Sequence, residues 1–301
     1  MNPGPGPSWV ALPQSGHWPT VLAFLVERFP HVEATEWRER MVQGGVCSAD
    51  AVTPLTPFTP FTPGLRIRYF RHVPNEPRIP FEAQILFEDG CMVVADKPHF
   101  LPVTPSGRYV QETLLTRLQH QLDLPTLTPV HRLDRDTAGL VLFCKQVAHR
   151  DAYAAMFRQR AAAKIYEAVA PWRADVGLPV TRSTQLEEAP HFMQMREVPG
   201  EANAHTRIRV IEHKGGWARY QLEPLTGKRH QLRVHMAVMG LPIRHDGIYP
   251  DLTPEPPAGE TPDYSKPLQL LARELRFTDP VTGQGRVFVS RRSLAALPAD
   301  D

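Results

Sequence analysis

The spacing of apolar residues predicts alternating strands and helices over most of the chain. Two continuous apolar runs, residues 91–95 and 139–144, predict strands that are buried on both faces of a sheet. Residues 218–222 alternate apolar and polar side chains, which predicts a half-buried strand. Residues 173–204 and 250–266 are rich in proline, glycine or acidic residues, and we expect both to be exposed excursions. Further strands are predicted over residues 164–170 and 206–211, and helices over residues 110–122, 146–160 and 229–239.

The first 80 residues follow a different pattern. Apolar residues at helical spacing predict one helix near residues 21–29 and a second over residues 34–43, which ends at two glycines. Residues 53–64 should be extended, because their prolines lack the backbone donor that a helix needs. A short strand is predicted over residues 65–69, and the prolines of residues 71–80 indicate a linker.

The composition excludes several classes of protein. The chain has 301 residues, 42% hydrophobic and 22% charged, which is ordinary for a soluble globular protein. No apolar stretch is long enough to span a membrane, and the N-terminus lacks the basic head and apolar core of a secretory signal. The three isolated cysteines argue against a disulfide framework, so we expect a cytoplasmic location. The net charge of +2 is too small by itself to indicate a nucleic-acid partner, although basic residues concentrate in the second half.

The segment HRLDRDTAGLVLFCK, residues 131–145, is the strongest candidate for chemistry. It places Asp134 and Asp136 among arginines, directly before a buried apolar run. Charged groups at the end of such a strand are costly to desolvate unless they are paired or used. A carboxylate held between arginines stays ionised and oriented, as a nucleophile or a base must be. A structural ion-pair network that caps the strand would have a similar composition.

Three segments together resemble the motifs of one known family. They are HRLDRDTAGLVLFCK, KIYEA at residues 164–168 and LTGKRHQLRVH at residues 225–235. Their order and spacing resemble the RluA-type pseudouridine synthases, and residues 85–107 are similar to that family's first strand–loop unit. The resemblance covers about residues 81–288. It implies an α+β fold: a mixed, mostly antiparallel sheet with flanking helices and a central RNA-binding cleft.

The resemblance also implies a reaction, the isomerisation of uridine to pseudouridine in ribosomal or transfer RNA. The base is detached at N1, rotated, and rejoined to the ribose through C5. The family needs no metal and no organic cofactor. The target nucleotide must flip out of its helix, because a paired base cannot turn over inside one.

Five residues receive roles from their positions in the motifs. Asp134 matches the essential catalytic aspartate; attack on the ribose, addition to the base and removal of a ribose proton each require an ionised, positioned carboxylate. Tyr166 matches the tyrosine that packs on the target uracil, a contact that restrains a base and still allows it to rotate. Arg233 matches the arginine that pairs with the catalytic aspartate, and bidentate pairing would fix the carboxylate. Leu232 matches an apolar wall of the uracil pocket, and Arg132 matches an arginine that fills the gap left by the flipped nucleotide.

Each of these residue types also has an ordinary structural explanation. Tyr166 could be a core aromatic residue, Arg233 a surface arginine and Leu232 part of an apolar helix stripe. His230 and His235 are five residues apart, which turns them to different faces of a helix and disfavours a metal pair. The joint occurrence of the motifs, rather than any single residue, favours the functional interpretation.

The motifs also imply a domain organisation. We expect a flexible N-terminus at residues 1–17, a small module at 18–70, a linker at 71–80, a catalytic domain at 81–295 and a tail at 296–301. The small module resembles a divergent copy of the αL-type RNA-binding module of ribosomal proteins. Its predicted helices carry more acidic than basic residues, and a net acidic face binds phosphate poorly. RNA binding, a structural role and docking of a protein are therefore all retained as hypotheses for it.

Two positions depart from the family pattern. His245 stands before Asp246 where relatives usually have glycine, and Leu271 stands where many relatives have histidine. We expect neither to contact the proposed catalytic trio. Both departures are expected to affect the loop beside the cleft or the choice of RNA.

Two other functions compete with an RNA-modifying isomerase. A non-catalytic RNA-binding protein or RNA chaperone would use the same basic cleft, but binding alone does not require a carboxylate that repels phosphate. A glycoside hydrolase needs two facing carboxylates, and Asp136, two residues from Asp134, is the only near candidate. The isomerase is the leading hypothesis, with RNA as its partner, no membrane or metal, and a monomeric state.

Overall fold

The computed structural model describes two compact units, residues 1–74 and 75–301. The described residues are 8–30, 32–49, 53–69, 76–107, 109–254, 260 and 263–297.

The first unit combines a small antiparallel sheet with two helices. Its elements are β1 (Ser8–Ala11), α1 (Val21–Arg28), α2 (Ala34–Val42), β2 (Val46–Ser48) and β3 (Arg66–Tyr69), with strand order β1-β3-β2. The Thr20 hydroxyl accepts a hydrogen bond from the amide of Ala23 at 3.1 Å and so caps α1. Phe24 and Trp37 are buried between the helices and the sheet. Both predicted helices and the strand predicted over residues 65–69 are confirmed.

The prediction of a flexible N-terminus is wrong where the chain is described. Residues 8–11 form β1, which pairs with β3, and Leu12 is buried. The partner strand lies more than 50 residues further along the chain, so no local sequence pattern predicts this pairing. Residues 1–7 lie outside the described residues.

The second unit is built on a mixed sheet of eleven strands within the described residues. The strands are β4 (Gln84–Glu88), β5 (Met92–Lys97), β6 (Thr128–Pro129), β7 (Ala138–Cys144), β8 (Ala163–Pro171), β9 (Val180–Glu188), β10 (Met195–Val198), β11 (Ala204–Lys214), β12 (Trp217–Pro224), β13 (Leu270–Thr278) and β14 (Gly285–Val289). The helices are α3 (Leu114–Leu122), α4 (Arg150–Arg158) and α5 (Gln231–Val238), and a 3-10 turn, Val147–His149, precedes α4.

The strand order is β10-β9-β11-β12-β8-β13-β7-β5-β4, with β14 paired to β13 and β6 to β7. Only β7 and β13 pair in parallel among the described strands. The expected mixed, mostly antiparallel sheet of an α+β fold is confirmed. Every residue of β5 and β7 is buried, which confirms both predicted central strands.

Gly139, in the HRLD segment, permits the parallel junction at the centre of the sheet. It pairs with Ala272 of β13 and has φ +112°. A Cβ at this position would lie 2.3 Å from the carbonyl oxygen of Ala272. Only glycine fits both the backbone conformation and the close approach. The residue therefore fixes where the loop before β7 meets the middle of the sheet.

Two predictions about irregular segments need correction. Residues 173–204 are not an exposed excursion, because they form β9 and β10, and β9 extends the sheet beside β11. Residues 76–80 are not a linker: the Glu76 carboxylate accepts hydrogen bonds from the amides of residues 110–112, and Ile79 is buried. The remainder of the predicted linker, residues 71–75, lies outside the described residues. In both segments the proline and charged residues favoured a prediction of irregular structure, but contacts with distant parts of the chain order the backbone.

Other irregular segments agree more closely with expectation. The described residues of 250–266 contain no helix or strand. The helix predicted over residues 110–122 begins later, at Leu114, because the Thr113 hydroxyl caps it by accepting the amide of Thr116 at 3.1 Å. Among the described residues, no helix has the length and apolar character needed to cross a bilayer.

Candidate active site

Asp134 lies on the loop between β6 and β7, and the surrounding core fixes that loop. Leu133 is buried in the core, and the amide of Thr137 donates to the Asp134 carbonyl at 3.2 Å. Lys97, at the end of β5, is fully buried, and its ammonium group donates to the Arg135 carbonyl at 2.8 Å. The same ammonium group also donates to two carbonyls of its own connecting loop. Lys97 thus ties both the Asp134 loop and the loop after β5 to the central sheet.

The buried position of Lys97 changes its protonation. Burial lowers the pKa of Lys97 to about 7, while the nearby carboxylates of Asp136 and Asp134 oppose this shift. Charge on Lys97 therefore depends on those two carboxylates. Sequence reasoning did not single out Lys97, although a lysine at the end of a continuous buried strand is itself an unusual signal.

The Asp134 carboxylate faces two basic side chains, Arg233 in α5 and His230 directly before that helix. One carboxylate oxygen, Oδ2, lies 3.4 Å from Nη1 of Arg233, and Oδ1 lies 3.8 Å from Nε2 of His230. The Asp134 side chain is 25% exposed, so its carboxylate remains accessible to a substrate. Partial burial and the charge of Asp134 raise the pKa of the Tyr166 phenol on β8, which keeps this hydroxyl neutral.

Asp246 is the main partner of Arg233. The guanidinium group donates from Nε to Oδ2 of Asp246 at 2.8 Å and from Nη2 to Oδ1 at 2.6 Å. The side chains of Arg233 and Asp246 are 2% and 1% exposed. Burial by itself would lower the pKa of Arg233, but the hydrogen bonds and charge of Asp246 raise it overall. The predicted bidentate pairing with Asp134 is therefore wrong. Asp246 accepts both hydrogen bonds of the bidentate pair, and Asp134 makes one longer contact with the guanidinium group.

The loop after α5 is shaped to present Asp246. Its Oδ1 also accepts hydrogen bonds from the amides of Ile248 and Tyr249, at 2.8 and 3.1 Å. His245, directly before it, has φ +61°, a left-handed conformation that glycine adopts without strain. A glycine therefore suits this position. His245, which departs from the family pattern here, lies directly beside the site residue Asp246.

A buried hydrogen-bond network holds α5 in place. Gln231 donates to Thr206 and accepts from Thr226, both through side-chain atoms within 2.9 Å. The two ring nitrogens of His235 lie 2.9 Å from the Thr206 hydroxyl and 3.0 Å from the Thr184 hydroxyl. Helix α5 is thereby attached to β9 and β11, and the position of Arg233 depends on these contacts.

His235 should make the stability of the protein depend on pH. Burial lowers the pKa of His235 to about 4 from its ordinary 6.5, so the folded protein keeps it neutral. The unfolded chain binds the proton below pH 6.5, and stability is therefore lost as pH falls from 6.5 towards 4. Between pH 6.5 and 5 this one group should cost about 2 kcal/mol of unfolding free energy.

Denaturant unfolding at pH 7.5 and 5 checks this expectation. His235→Gln should be less stable than the wild type at pH 7.5, and the difference should shrink at pH 5. The control variant His120→Gln changes an exposed histidine of α3 and should keep the wild-type pH dependence. An equal difference at both pH values for His235→Gln would contradict the account.

Two adjoining cavities meet at Asp134. The first has a volume of about 850 Å³, and all five predicted site residues line it: Asp134, Tyr166, Arg233, Leu232 and Arg132. The second has a volume of about 460 Å³ and shares Asp134, Arg132 and Arg233 with the first. In the part of the chain that is described, no three His, Cys, Asp or Glu side chains are placed to hold a metal ion. The lining combines the accessible carboxylate of Asp134 with aromatic and apolar walls and several cations.

Comparisons with known proteins agree with this geometry. Residues 91–238 match the family model described as RNA pseudouridylate synthase. An RNA pseudouridine synthase of Synechocystis is 30% identical over 238 residues, which cover 76% of this chain and 79% of that protein. Ribosomal large subunit pseudouridine synthase D of Salmonella typhimurium is 30% identical over 280 residues, covering 86% of this chain and 82% of that protein. This chain belongs to the RNA pseudouridine synthase family.

The fold of this pseudouridine synthase agrees with a solved relative. Human RNA pseudouridylate synthase domain containing 1 superimposes with a TM-score of 0.56 at 22% identity, covering 72% of this chain and 86% of that one. The predicted RluA-type membership, the isomerase class and the fold are therefore confirmed.

The structure of this pseudouridine synthase brings together every residue that the motifs selected, and it adds two that they did not. These two are Asp246 and Lys97. In the sequence, Asp246 stands out only because it follows His245, and Lys97 only because it belongs to the segment 85–107 that resembles the family's first strand–loop unit. Arg132 is exposed at the rim of both cavities, where it is available to an RNA partner. Leu271, the second departure, is buried in β13.

Proposed function

We propose that this pseudouridine synthase isomerises specific uridines in ribosomal or transfer RNA, with Asp134 as the essential catalytic residue and without a metal or organic cofactor. The observation that carries the proposal is the accessible Asp134 carboxylate at the junction of two cavities, 3.4 Å from the guanidinium group of Arg233. Similarity to a ribosomal large subunit enzyme makes ribosomal RNA the first substrate to test.

The first cavity suits a flipped-out uridine. Tyr166 and Leu232 provide an aromatic face and an apolar wall beside Asp134, so a uracil can be held while it turns. The raised pKa of Tyr166 keeps its phenol protonated, which suits packing and hydrogen bonding rather than action as a base. Arg132, exposed at the rim, is placed to occupy the gap that the flipped nucleotide leaves in the RNA.

The proposed reaction balances within the RNA itself. The bond between ribose C1′ and uracil N1 breaks, the base rotates, and a bond between C1′ and C5 forms. The proton on C5 leaves, and N1 acquires one. Asp134 can assist by attacking the ribose, by adding to the base or by removing a ribose proton, and each route returns a free carboxylate.

Lys164 is a candidate for binding a phosphate of the target nucleotide. It lines the first cavity, two residues before Tyr166, and burial lowers its pKa. Its ammonium group makes no hydrogen bond or ion pair with any of the described residues. A partly desolvated cation without a protein partner is suited to an RNA phosphate.

Lys164→Met should weaken RNA binding and reduce the slope of log affinity against log salt by about 1, because one phosphate contact is lost. Filter binding of ribosomal RNA over a range of salt concentrations measures both quantities. The control Lys214→Met removes an exposed lysine at the end of β11 that lines neither of the two cavities. An unchanged salt slope for Lys164→Met would show that this lysine does not meet a phosphate.

Release of tritium from RNA labelled at uracil C5 tests the proposed reaction, because formation of the new bond at C5 must expel that hydrogen. Transcribed ribosomal and transfer RNAs, which carry no modification, serve as substrates. The wild-type protein should release tritium from at least one of them, and Asp134→Asn should release none. RNA binding by a folded wild-type protein without any release would favour the RNA-binding or RNA-chaperone function instead.

A further inference from the structure

We propose that the second cavity binds an unpaired RNA base next to the flipped-out uridine and that Phe192 is the surface on which this base stacks. The inference rests on the proposed function for the identity of the first base. Phe192 lies in the turn between β9 and β10, a segment that the sequence motifs left without a role.

The exposure of Phe192 needs an explanation. Its side chain is 75% exposed at the rim of the second cavity, although a phenylalanine gains from burial. Its ring lies 5.1 Å from that of His191 with an interplanar angle of 26°, which leaves an aromatic surface available to solvent. Aromatic side chains placed in this way beside a nucleic-acid site commonly receive unstacked bases.

The turn that carries Phe192 is attached to the active site. Arg229, the residue before His230, donates a hydrogen bond to the Phe192 carbonyl. On the other side of the turn, the Gln194 amide group donates to the Ile248 carbonyl at 2.8 Å. The Phe192 ring is therefore presented by a turn that is fixed at the start of α5 and to the loop after Asp246.

The chemistry of the second cavity fits a nucleotide rather than a protein side chain. Phe192, Met193 and Ile248 provide an apolar side, while Arg132 and Arg229 provide positive charge for a phosphate. The cavity adjoins the uridine cavity, because Asp134, Arg132 and Arg233 line both. We therefore expect a nucleotide beside the target uridine to reach the second cavity.

The test compares Phe192→Ala and Phe192→Trp in the Asp134→Asn background, where RNA binding is measured without turnover. Loss of one base–aromatic stack should weaken binding of transcribed ribosomal RNA by about 5-fold or more. Phe192→Trp should restore the affinity, because a larger aromatic face also stacks. The control Val287→Ala shortens an exposed apolar residue of β14 that lines neither cavity, and it should leave the affinity unchanged.

A second readout separates stacking from a structural role. With Asp134 intact, Phe192→Ala should raise KM in the tritium assay and leave kcat nearly unchanged, and thermal unfolding should not shift. Wild-type affinity and KM for Phe192→Ala would overturn the inference while leaving the proposed reaction untouched. Weakened binding that tryptophan restores would support the stacking site even if the wild-type protein released no tritium.

Discussion

Asp246→Asn is expected to destabilise the protein by about 3–5 kcal/mol, because the buried guanidinium group of Arg233 loses the charge of its main, bidentate partner. Both side chains of this pair are almost fully buried, and Asp246 also accepts two backbone amides. Asparagine has nearly the same shape, so the effect reports lost charge rather than a cavity. Turnover should fall as well, because Arg233 loses the bidentate pairing with Asp246 that holds its guanidinium group 3.4 Å from the Asp134 carboxylate.

The exposed pair of Arg173 and Asp175 is a matched control. Arg173 also donates from Nε and Nη2 to both carboxylate oxygens of its partner, but these side chains are 48% and 65% exposed. Asp175→Asn should cost about 0–1 kcal/mol, since exposed ion pairs contribute little. Denaturant unfolding of both variants gives the comparison. Equal losses of unfolding free energy in the two variants would show that burial does not increase the contribution of the Arg233–Asp246 pair to stability.

Asp134→Asn is expected to abolish detectable turnover, because Asp134 is the proposed essential residue and loss of a positioned acid–base group alone costs about 10²-fold or more. Its effect on stability should be small, because the side chain is partly exposed and its single contact with Arg233 is long. A change of about 1 kcal/mol corresponds to a shift of about 4 °C or less in a protein of this size. RNA binding should persist or strengthen, since a negative charge facing the phosphates is removed.

Tritium release, thermal unfolding and RNA binding of this variant should be measured together. Asp151→Asn, which changes an exposed aspartate of α4, controls for a nonspecific effect of the substitution. A folded Asp134→Asn protein with wild-type turnover would eliminate every proposed role of Asp134 at once. Loss of turnover together with loss of folding would instead assign Asp134 a structural part.

Much of the catalytic unit could be predicted from the sequence because its signals are local. The continuous apolar runs of β5 and β7 identify central strands whatever their neighbours are. The motifs that contain Asp134, Tyr166 and Arg233 include their own strand or helix signals, so their meeting in one cavity agrees with the resemblance.

The features that sequence reasoning missed depend on contacts between distant residues. Arg233 was weighed as a surface residue and as a partner of Asp134, but its strongest partner is Asp246, 13 residues away. Only the path of the loop after α5, including the left-handed His245, brings that carboxylate back to the helix. Composition also misled at residues 173–204, where polar strands are ordered by pairing with β11.

The isomerisation is tested most directly by digesting treated, C5-tritiated ribosomal RNA to nucleosides and separating uridine from pseudouridine. The account predicts that pseudouridine gained, uridine lost and tritium released are equal with the wild-type protein, and that all three are absent with Asp134→Asn. Tritium release without pseudouridine, or pseudouridine formation by the folded Asp134→Asn variant, would contradict it.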